Sequence, residues 1–297
     1  MNRPVAGLIG GALVLAGCGY RPSATAPTLR PASSLTVINH FPAQDLLAAR
    51  LTNLESLVTP FHLDSTSSGM TITLIGAYAD PARTVLFFRG AGEYQVEFGA
   101  INDDFGFINA GGGGQQIKPS AGDSVYTVDG GPRPRADGVA NLVIKVTDLQ
   151  QHHVNSVTHL SGNWNWSIPL KVQPATTLPA APQFALGRWK GNIEVLEVTP
   201  SVIHLRAVIN GVSPANAFGP GIPEIITLLD PGGARLQASA GGAGITVPKQ
   251  QVNPVNYQNT RFEFEWPRPM AGGTFQLRFL GGGGSYSIPL TIDALTA

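Results

Sequence analysis

The sequence predicts an all-β protein made of two consecutive sandwiches of antiparallel sheets. Gly 36 and Pro 24 together make about a fifth of the 297 residues, and both residue types destabilise helix interiors. Apolar and polar residues alternate in several runs, which is the pattern of half-buried strands. A similar pattern returns about 120 residues later, so we expect two related units.

Composition excludes several classes of protein. Lys+Arg 19 balances Asp+Glu 19, so there is no basic excess to bind nucleic acid. Hydrophobic residues make 43% of the chain, which is enough to bury a core and argues against intrinsic disorder. At this length we expect two medium-sized domains.

The N-terminus has the pattern of a secretory signal peptide. Arg3 precedes an apolar run over residues 5–15, and small residues follow. The run is shorter than the roughly 20 residues that a membrane-spanning helix needs. We therefore predict a signal peptide over residues 1–17.

The end of this segment, Leu15-Ala16-Gly17-Cys18, resembles the bacterial lipobox. The resemblance implies that Cys18 becomes the mature N-terminus and carries a diacylglycerol thioether. The partner of Cys18 would be the extracytoplasmic face of the bacterial membrane. Cys18 is the one cysteine of the chain, so it has no disulfide partner within it. The alternative is an ordinary cleaved signal followed by an incidental cysteine.

Composition then divides the mature chain. Residues 18–40 are rich in Pro, Ala, Ser and Thr and are predicted to be a lipid anchor and flexible spacer. Leucines at helical spacing predict a short helix within residues 43–57. We place the first β-sandwich domain at residues 41–175 and the second at residues 183–297. A Pro- and Ala-rich linker joins them.

The repeat is clearest near the end of each unit. Trp166-Ser167-Ile168-Pro169-Leu170 is echoed by Tyr286-Ser287-Ile288-Pro289-Leu290. The same offset pairs residues 142–146 with residues 262–266, and residues 72–78 resemble residues 193–199. Because proline cannot donate to a strand ladder, Pro169 and Pro289 predict edge strands or bulges.

Residues 69–80, Gly-Met-Thr-Ile-Thr-Leu-Ile-Gly-Ala-Tyr-Ala-Asp, precede the apolar run 85–88. This stretch resembles the opening hairpin of bacterial Ig-like domains found in membrane-anchored anti-sigma-factor-like proteins, and the second unit resembles the partner domain of such pairs. The resemblance implies a tandem Ig-like architecture in the cell envelope. Since the chain shows neither a sigma-binding segment nor a membrane-spanning run, we expect no direct anti-sigma role.

Tryptophans suggest one candidate ligand site. Trp164 and Trp166 alternate with asparagines, and Trp189 follows the linker. Exposed indoles stack on sugar rings in binding modules, but period-two placement with Ile168 and Leu170 favours a core position for Trp164 and Trp166. Trp189 is expected to be more exposed or to pack between the two domains.

Histidines suggest another candidate, a metal site. His152, His153 and His159 lie within eight positions, and histidine is the commonest metal ligand. Asn155 and Ser156 suggest a turn between them, and no nearby acid or cysteine completes a ligand set. A solvated loop is favoured.

The remaining polar motifs favour turns. Asp80, Asp103 and Asp104 invite a calcium interpretation, but Asp103-Asp104-Phe105-Gly106 fits a hairpin turn better. The glycine runs at residues 111–114 and 281–284 precede no helical pattern and are predicted to be hairpin loops, not phosphate-binding loops.

None of the common catalytic motifs occurs in the sequence, so we expect no enzyme activity and no cofactor. The leading hypothesis is a non-catalytic binding, sensing or structural lipoprotein with a protein or glycan partner in the envelope. The alternatives are a carbohydrate-binding module or envelope hydrolase using Trp164, Trp166 or Trp189, and a metal-handling lipoprotein using the three histidines.

Overall fold

The computed structural model describes residues 41–109, 115–117, 123–179, 183–210, 226–238, 240–242 and 259–295. Strands dominate this part of the chain, and every strand pair in its sheets is antiparallel. The prediction of all-β, antiparallel sandwiches is confirmed. Within these residues, no helix has the length and hydrophobicity needed to cross a bilayer.

The described residues of the first sandwich form nine strands. They are β1 (Thr59–Ser67), β2 (Met70–Ala79), β3 (Arg83–Arg89), β4 (Gln95–Asp103), β5 (Gly106–Asn109), β6 (Gln115–Ile117), β7 (Asp123–Asp129), β8 (Val139–His152) and β9 (Val157–Lys171). One sheet has the order β1-β2-β3-β7-β6, and the facing sheet has the order β5-β4-β8-β9.

The second sandwich follows the same plan. Its strands are β10 (Thr176–Thr177), β11 (Gln183–Leu186), β12 (Trp189–Val198), β13 (Val202–Asn210), β14 (Ile226–Leu229), β15 (Arg235–Leu236), β16 (Ala240–Gly242), β17 (Asn259–Pro267), β18 (Gly273–Gly281) and β19 (Gly284–Ile292). The sheets have the orders β10-β12-β13-β17-β16, with β11 also paired to β12, and β15-β14-β18-β19.

Both sandwiches have the strand order of an immunoglobulin domain. When β2 to β9 are lettered A, B, C, C′, D, E, F and G, the sheets have the orders A-B-E-D and C′-C-F-G. Strands β12 to β19 take the same eight letters and give the same two orders. The Ig-like fold is therefore seen in the connectivity of each half.

This connectivity confirms two of the sequence equivalences and corrects a third. Residues 166–171 and 286–291 lie on the two G strands, and residues 72–77 and 193–198 lie on the two A strands. Residues 142–146, however, lie on strand F of the first sandwich, whereas residues 262–266 lie on strand E of the second. Alternation marks a strand but not its place in the sheet, so equal spacing paired the wrong strands.

Each sandwich encloses its own apolar core. The first core includes Trp164, Trp166 and Phe88, and the second includes Trp266, Phe275 and Phe279. Neither core contains a cysteine pair, since Cys18 stands alone in the sequence. Packing of side chains from facing sheets therefore stabilises each half.

A third apolar cluster covers the outer face of the first A-B-E-D sheet. It is formed by residues 41–58 packing onto Ile75, Tyr78, Val85, Phe87 and Val125. The predicted helix within residues 43–57 is much shorter than expected: α1 spans Ala43–Ala48, and a 3₁₀ turn spans Glu55–Leu57. Arg50, which follows the last residues of α1, has a positive φ angle of 55°, and this left-handed conformation ends the helix.

The proline prediction is confirmed at both G strands. Pro169 and Pro289 lie on β9 and β19, each at the edge of its sheet. Strand β1 covers the edge of β9. The backbone N–H groups of Asn163 and Asn165 donate to the hydroxyls of Ser67 and Ser65 at 2.8 and 2.9 Å.

Candidate functional site

The structure places Trp164 and Trp166 in the first core, with 0% and 4% of their surfaces exposed. Their indole N–H groups donate to the carbonyls of Met70 and Leu63 at 2.9 and 2.8 Å. The alternative prediction that this pair forms a carbohydrate-binding site is therefore wrong, because a sugar ring cannot reach buried indoles. Their alternation with Ile168 and Leu170 correctly predicted the core.

Trp189 lies apart from them, at the edge of the second core. Its half-buried indole rests on the β18–β19 turn, where a Cβ added to Gly281 would lie 1.9 Å from the ring. The glycine run 281–284 is thus a hairpin turn, as predicted, and its small residues make room for Trp189. A single indole seated on a turn offers no coplanar pair for a sugar.

The three candidate histidines lie on the hairpin formed by β8 and β9, and all three are exposed. His153 contacts the Thr158 hydroxyl at 3.2 Å, and His159 contacts Asp148 Oδ2 at 2.6 Å. Among the residues that the structure describes, no three His, Cys, Asp or Glu side chains are grouped closely enough to hold a metal ion. The candidate metal site is not assembled there.

This β8–β9 hairpin is nevertheless unusual. Its strands have 14 and 15 residues, whereas the equivalent strands β18 and β19 have nine each. Pairing of β8 with β4 reaches Gln150, so the hairpin extends beyond the sheet. Val154, at its tip, is 98% exposed. We call residues 151–159 the extended tip.

The acidic residues form a turn, as predicted. Asp103 ends β4, and both its carboxylate oxygens accept hydrogen bonds from the Arg133 side chain, at 2.9 and 2.6 Å. Hydrogen bonding by Arg133 lowers the pKa of Asp103 to about 2. The backbone N–H of Phe105 donates to Asp103 Oδ1. This carboxylate therefore fixes a hairpin.

The junction between the sandwiches is formed by equivalent A–B turns. In the first, Asp80 Oδ1 accepts hydrogen bonds from the backbone N–H groups of Ala82 and Arg83 at 2.9 and 3.0 Å. In the second, Thr199 Oγ1 accepts from Ser201 and Val202 at 3.2 and 3.0 Å. A proline follows the accepting residue in each turn.

These two turns contact each other through buried polar groups. The Ser201 hydroxyl donates to Asp80 Oδ2 at 2.6 Å and accepts from Arg83 Nε at 3.0 Å. Tyr78 also donates to Asp80 Oδ2 at 2.6 Å. Burial, followed by the nearby Asp80 charge, raises the pKa of Tyr78, so the phenol stays protonated and donates. We call Tyr78, Asp80, Arg83 and Ser201 the junction cluster.

A second polar network was missed by sequence reasoning. His204 is buried on the outer face of β13, with Nδ1 3.0 Å from Glu197 and Nε2 2.9 Å from Glu263. Burial alone would lower the pKa of His204, but hydrogen bonds to both glutamates raise it to about 9. The hydrogen bond from His204, with help from Arg206, lowers the pKa of Glu263 to about 2.

A shallow cleft of about 470 Å³ lies beside the β11–β12 hairpin. Its lining consists of Gln183, Phe184, Ala185, Lys190, Gly191, Asn192 and Asn210. These residues offer side-chain amides and the Lys190 ammonium group as polar contacts.

Two predictions fall on residues outside the described part of the chain. They are lipidation at Cys18, with the signal peptide and spacer around it, and the glycine loop at residues 111–114.

Comparison with known proteins gives no family. No family model matches the chain, and no curated protein matches it. Among solved structures, a conserved domain protein from Bacillus anthracis is 13% identical, with a TM-score of 0.49, over 75% of this chain and 78% of its own. A titin A168169 structure is 13% identical, with a TM-score of 0.19, over 73% of this chain and 92% of its own. Titin domains z1z2, solved in complex with telethonin, are 11% identical, with a TM-score of 0.19, over 80% of this chain and 100% of their own. At these TM-scores the likenesses carry no argument about function.

Proposed function

We propose that this chain is an envelope lipoprotein, anchored through Cys18, whose two Ig-like sandwiches form one stiff, non-catalytic module that presents the extended tip to an envelope partner. The partner would be a protein or a glycan, recognised by surface contact without a cofactor. The observation that carries the proposal is the junction cluster, because it ties the sandwiches together through buried hydrogen bonds.

Burial makes this junction costly to open. Asp80 and Arg83 are fully buried, and Ser201 is 3% exposed. Separating the turns would break the two hydrogen bonds that Ser201 forms with Asp80 and Arg83, and a hydrogen bond to a charged group contributes about 1.5–3 kcal/mol. Leu295, near the end of the chain, also packs against the apolar cluster of the first sandwich. Both contacts favour a fixed angle between the halves.

The extended tip lies at the far end of the first sandwich from the junction. Val172, just after β9, bridges to Ala79 next to Asp80, whereas the tip lies at the start of β9. The extension buries almost nothing, yet it exposes Val154 and Val157. An exposed hairpin end that carries these two valines among polar side chains suits contact with a partner.

The anchor is tested by growing cells with an alkyne fatty acid and comparing the wild-type chain with Cys18→Ala. The wild-type protein should carry the acyl label and sediment with membranes, and the variant should not carry it. An unlabelled wild-type protein would overturn the lipoprotein assignment.

The fixed arrangement of the two sandwiches is tested by spin labelling. The labels are introduced into the Cys18→Ala variant, which contains no cysteine because Cys18 is the one cysteine of the sequence. Labels at Lys145→Cys and Thr291→Cys, on exposed positions of different sandwiches, should give one narrow distance distribution. A broad distribution would overturn the stiff module.

Presentation by the extended tip is tested by photo-crosslinking in cells. A photoreactive residue at Val154 should give a discrete adduct, whereas one at Gly283, on the equivalent turn of the second sandwich, should give none. Absence of an adduct from position 154 would contradict this role.

A further inference from the structure

The cleft beside the β11–β12 hairpin lies on the outer face of the second sandwich. Gln183, Ala185, Lys190 and Asn192 line it, and all four are exposed and alternate with buried residues. Their backbones are held in register, with Gln183 opposite Asn192 and Ala185 opposite Lys190. These four residues therefore lie on paired strands, which hold them in fixed relative positions.

Strand β13 forms another wall of the cleft. Asn210, at the end of this strand, is exposed and lies opposite Lys190. The lysine therefore stands between Ala185 and Asn210 on the neighbouring strands. The short side chain of Ala185 leaves space beside it, and the cleft has a volume of about 470 Å³. This volume is within the range of about 300–1,000 Å³ that small-molecule sites occupy.

Packing beneath the cleft keeps its shape. The Phe184 ring lies against Gly191, where an added Cβ would be 2.0 Å from the ring. Phe184 also stacks on Tyr286, with ring centroids 5.0 Å apart and ring planes 5° apart. Because the hairpin is fixed by this packing, the site needs little ordering when a ligand binds.

Lys190 brings a positive charge to the cleft. Among the residues that the structure describes, no carboxylate pairs with its ammonium group. Glu194, further along β12 and also exposed, pairs instead with Arg261 at 3.1 Å. An ammonium group donates three hydrogen bonds and accepts none. A ligand that complements Lys190 therefore carries an anionic acceptor.

The three amide side chains require a second kind of group. Gln183, Asn192 and Asn210 each offer an NH₂ donor and a carbonyl acceptor. A carboxylate accepts hydrogen bonds but has no hydrogen to donate to the amide carbonyls. Hydroxyl groups both donate and accept. Ammonium and amides together therefore fit a ligand that has several hydroxyls and a carboxylate.

We propose that this cleft binds an acidic saccharide, with its carboxylate on Lys190 and its hydroxyls on the amides of Gln183, Asn192 and Asn210. The cleft is shallow, so a short oligosaccharide should bind with a dissociation constant on the order of 1 mM. The inference goes beyond the proposed function, because it needs neither the lipid anchor nor the extended tip.

The direct test compares tri-galacturonic acid with its methyl ester, in which the carboxylates are masked. In nuclear magnetic resonance titrations of the purified chain, the acid should shift the side-chain amide signals of Gln183, Asn192 and Asn210. It should bind about ten times more tightly than the ester, because only the acid offers a charged acceptor to Lys190. Shifts that miss the cleft, or equal affinities for acid and ester, would overturn the proposal.

Sodium acetate separates a saccharide site from a simple anion site. At the same concentration, acetate provides the carboxylate without the hydroxyls, so it should leave the three amide signals unchanged. An equal response to acetate and tri-galacturonic acid would overturn a saccharide ligand.

Variants then locate the site. Lys190→Met should lower the affinity for tri-galacturonic acid about tenfold, to the level of the ester. Lys171→Met, which changes an exposed lysine on β9, is the matched control and should bind as wild type. Ala185→Leu should fill the space beside Lys190 and abolish binding of both probes. All three positions are exposed, so the unfolding midpoints should stay near that of wild type. Unchanged affinity in Lys190→Met or Ala185→Leu, or an equal loss in Lys171→Met, would contradict a site in this cleft.

Discussion

The hydroxyl of Ser201 in the second sandwich donates a 2.6 Å hydrogen bond to the carboxylate of Asp80 in the first. The same hydroxyl accepts from the buried Arg83 Nε. One small side chain therefore serves two ionisable groups across the junction.

Ser201→Ala should destabilise the protein, because it removes a donor to Asp80 and leaves Arg83 Nε without an acceptor. We expect a loss of about 1–3 kcal/mol in the free energy of unfolding, measured by urea denaturation. Ser167→Ala, at an exposed position on β9, is the control and should change little. Equal effects in the two variants would mean that the junction hydrogen bonds add no stability.

The His204 network should make stability fall at alkaline pH. In the folded protein the pKa of His204 is about 9, above the ordinary value of 6.5 for histidine, so the stability that protonated His204 contributes is complete below pH 6.5 and is lost as pH rises towards 9. Glu263, with its pKa lowered from 4.5 to about 2, contributes above pH 4.5 and loses that contribution as pH falls towards 2.

His204→Gln should therefore flatten the stability profile between pH 6.5 and 9, as measured by urea unfolding at a series of pH values. His204 contacts Glu197 and Glu263, Glu265 is its neighbour across the strands, and Arg206 pairs with Glu263. His159→Gln, which changes an exposed imidazole, should leave the profile as in wild type. A wild-type alkaline slope in His204→Gln would contradict the assignment.

Trp164 should behave as a core residue and not as a ligand platform. Trp164→Ala should cost about 3–5 kcal/mol of unfolding free energy, because it empties a fully buried position. Thr147→Ala, at an exposed position on neighbouring β8, should stay within about 0.5 kcal/mol of wild type. A small effect at Trp164 would indicate that the indole is not buried.

Stability should depend strongly on which of two valines, Val146 on β8 or Val154 in the following turn, is replaced by a charged residue. Val154→Asp should leave the unfolding midpoint almost unchanged, since residue 154 is 98% exposed. Val146→Asp should prevent folding, because residue 146 is 0% exposed in the first core. Circular dichroism melts measure both. A strong loss from Val154→Asp would show that the extended tip is structural.

Sequence alone predicted the fold class because alternation and turn residues report local geometry. Trp164, Trp166, Ile168 and Leu170 share one face of β9 whichever strand lies beside it, so their burial was predictable. Pro169 predicted an edge because proline lacks the N–H that a central strand needs.

The two polar clusters could not be predicted in the same way. His204 interrupts an apolar run, but its partners come from residues 197 and 263 on neighbouring strands. The sequence shows that Pro81 and Pro200 begin related turns, yet nothing in it shows that Asp80 and Ser201 meet. Those contacts depend on how one sandwich packs against the other, which local periodicity does not report.

Ser65 and Ser67 of β1 protect the edge of β9 when many copies of the protein lie close together. An uncovered edge strand is a template on which a neighbouring copy can add its own backbone. Ser65 and Ser67 occupy two amides along the rim of β9, and Pro169 has no amide hydrogen to offer there. Neighbouring copies should consequently not assemble into fibres by pairing at the edge of β9.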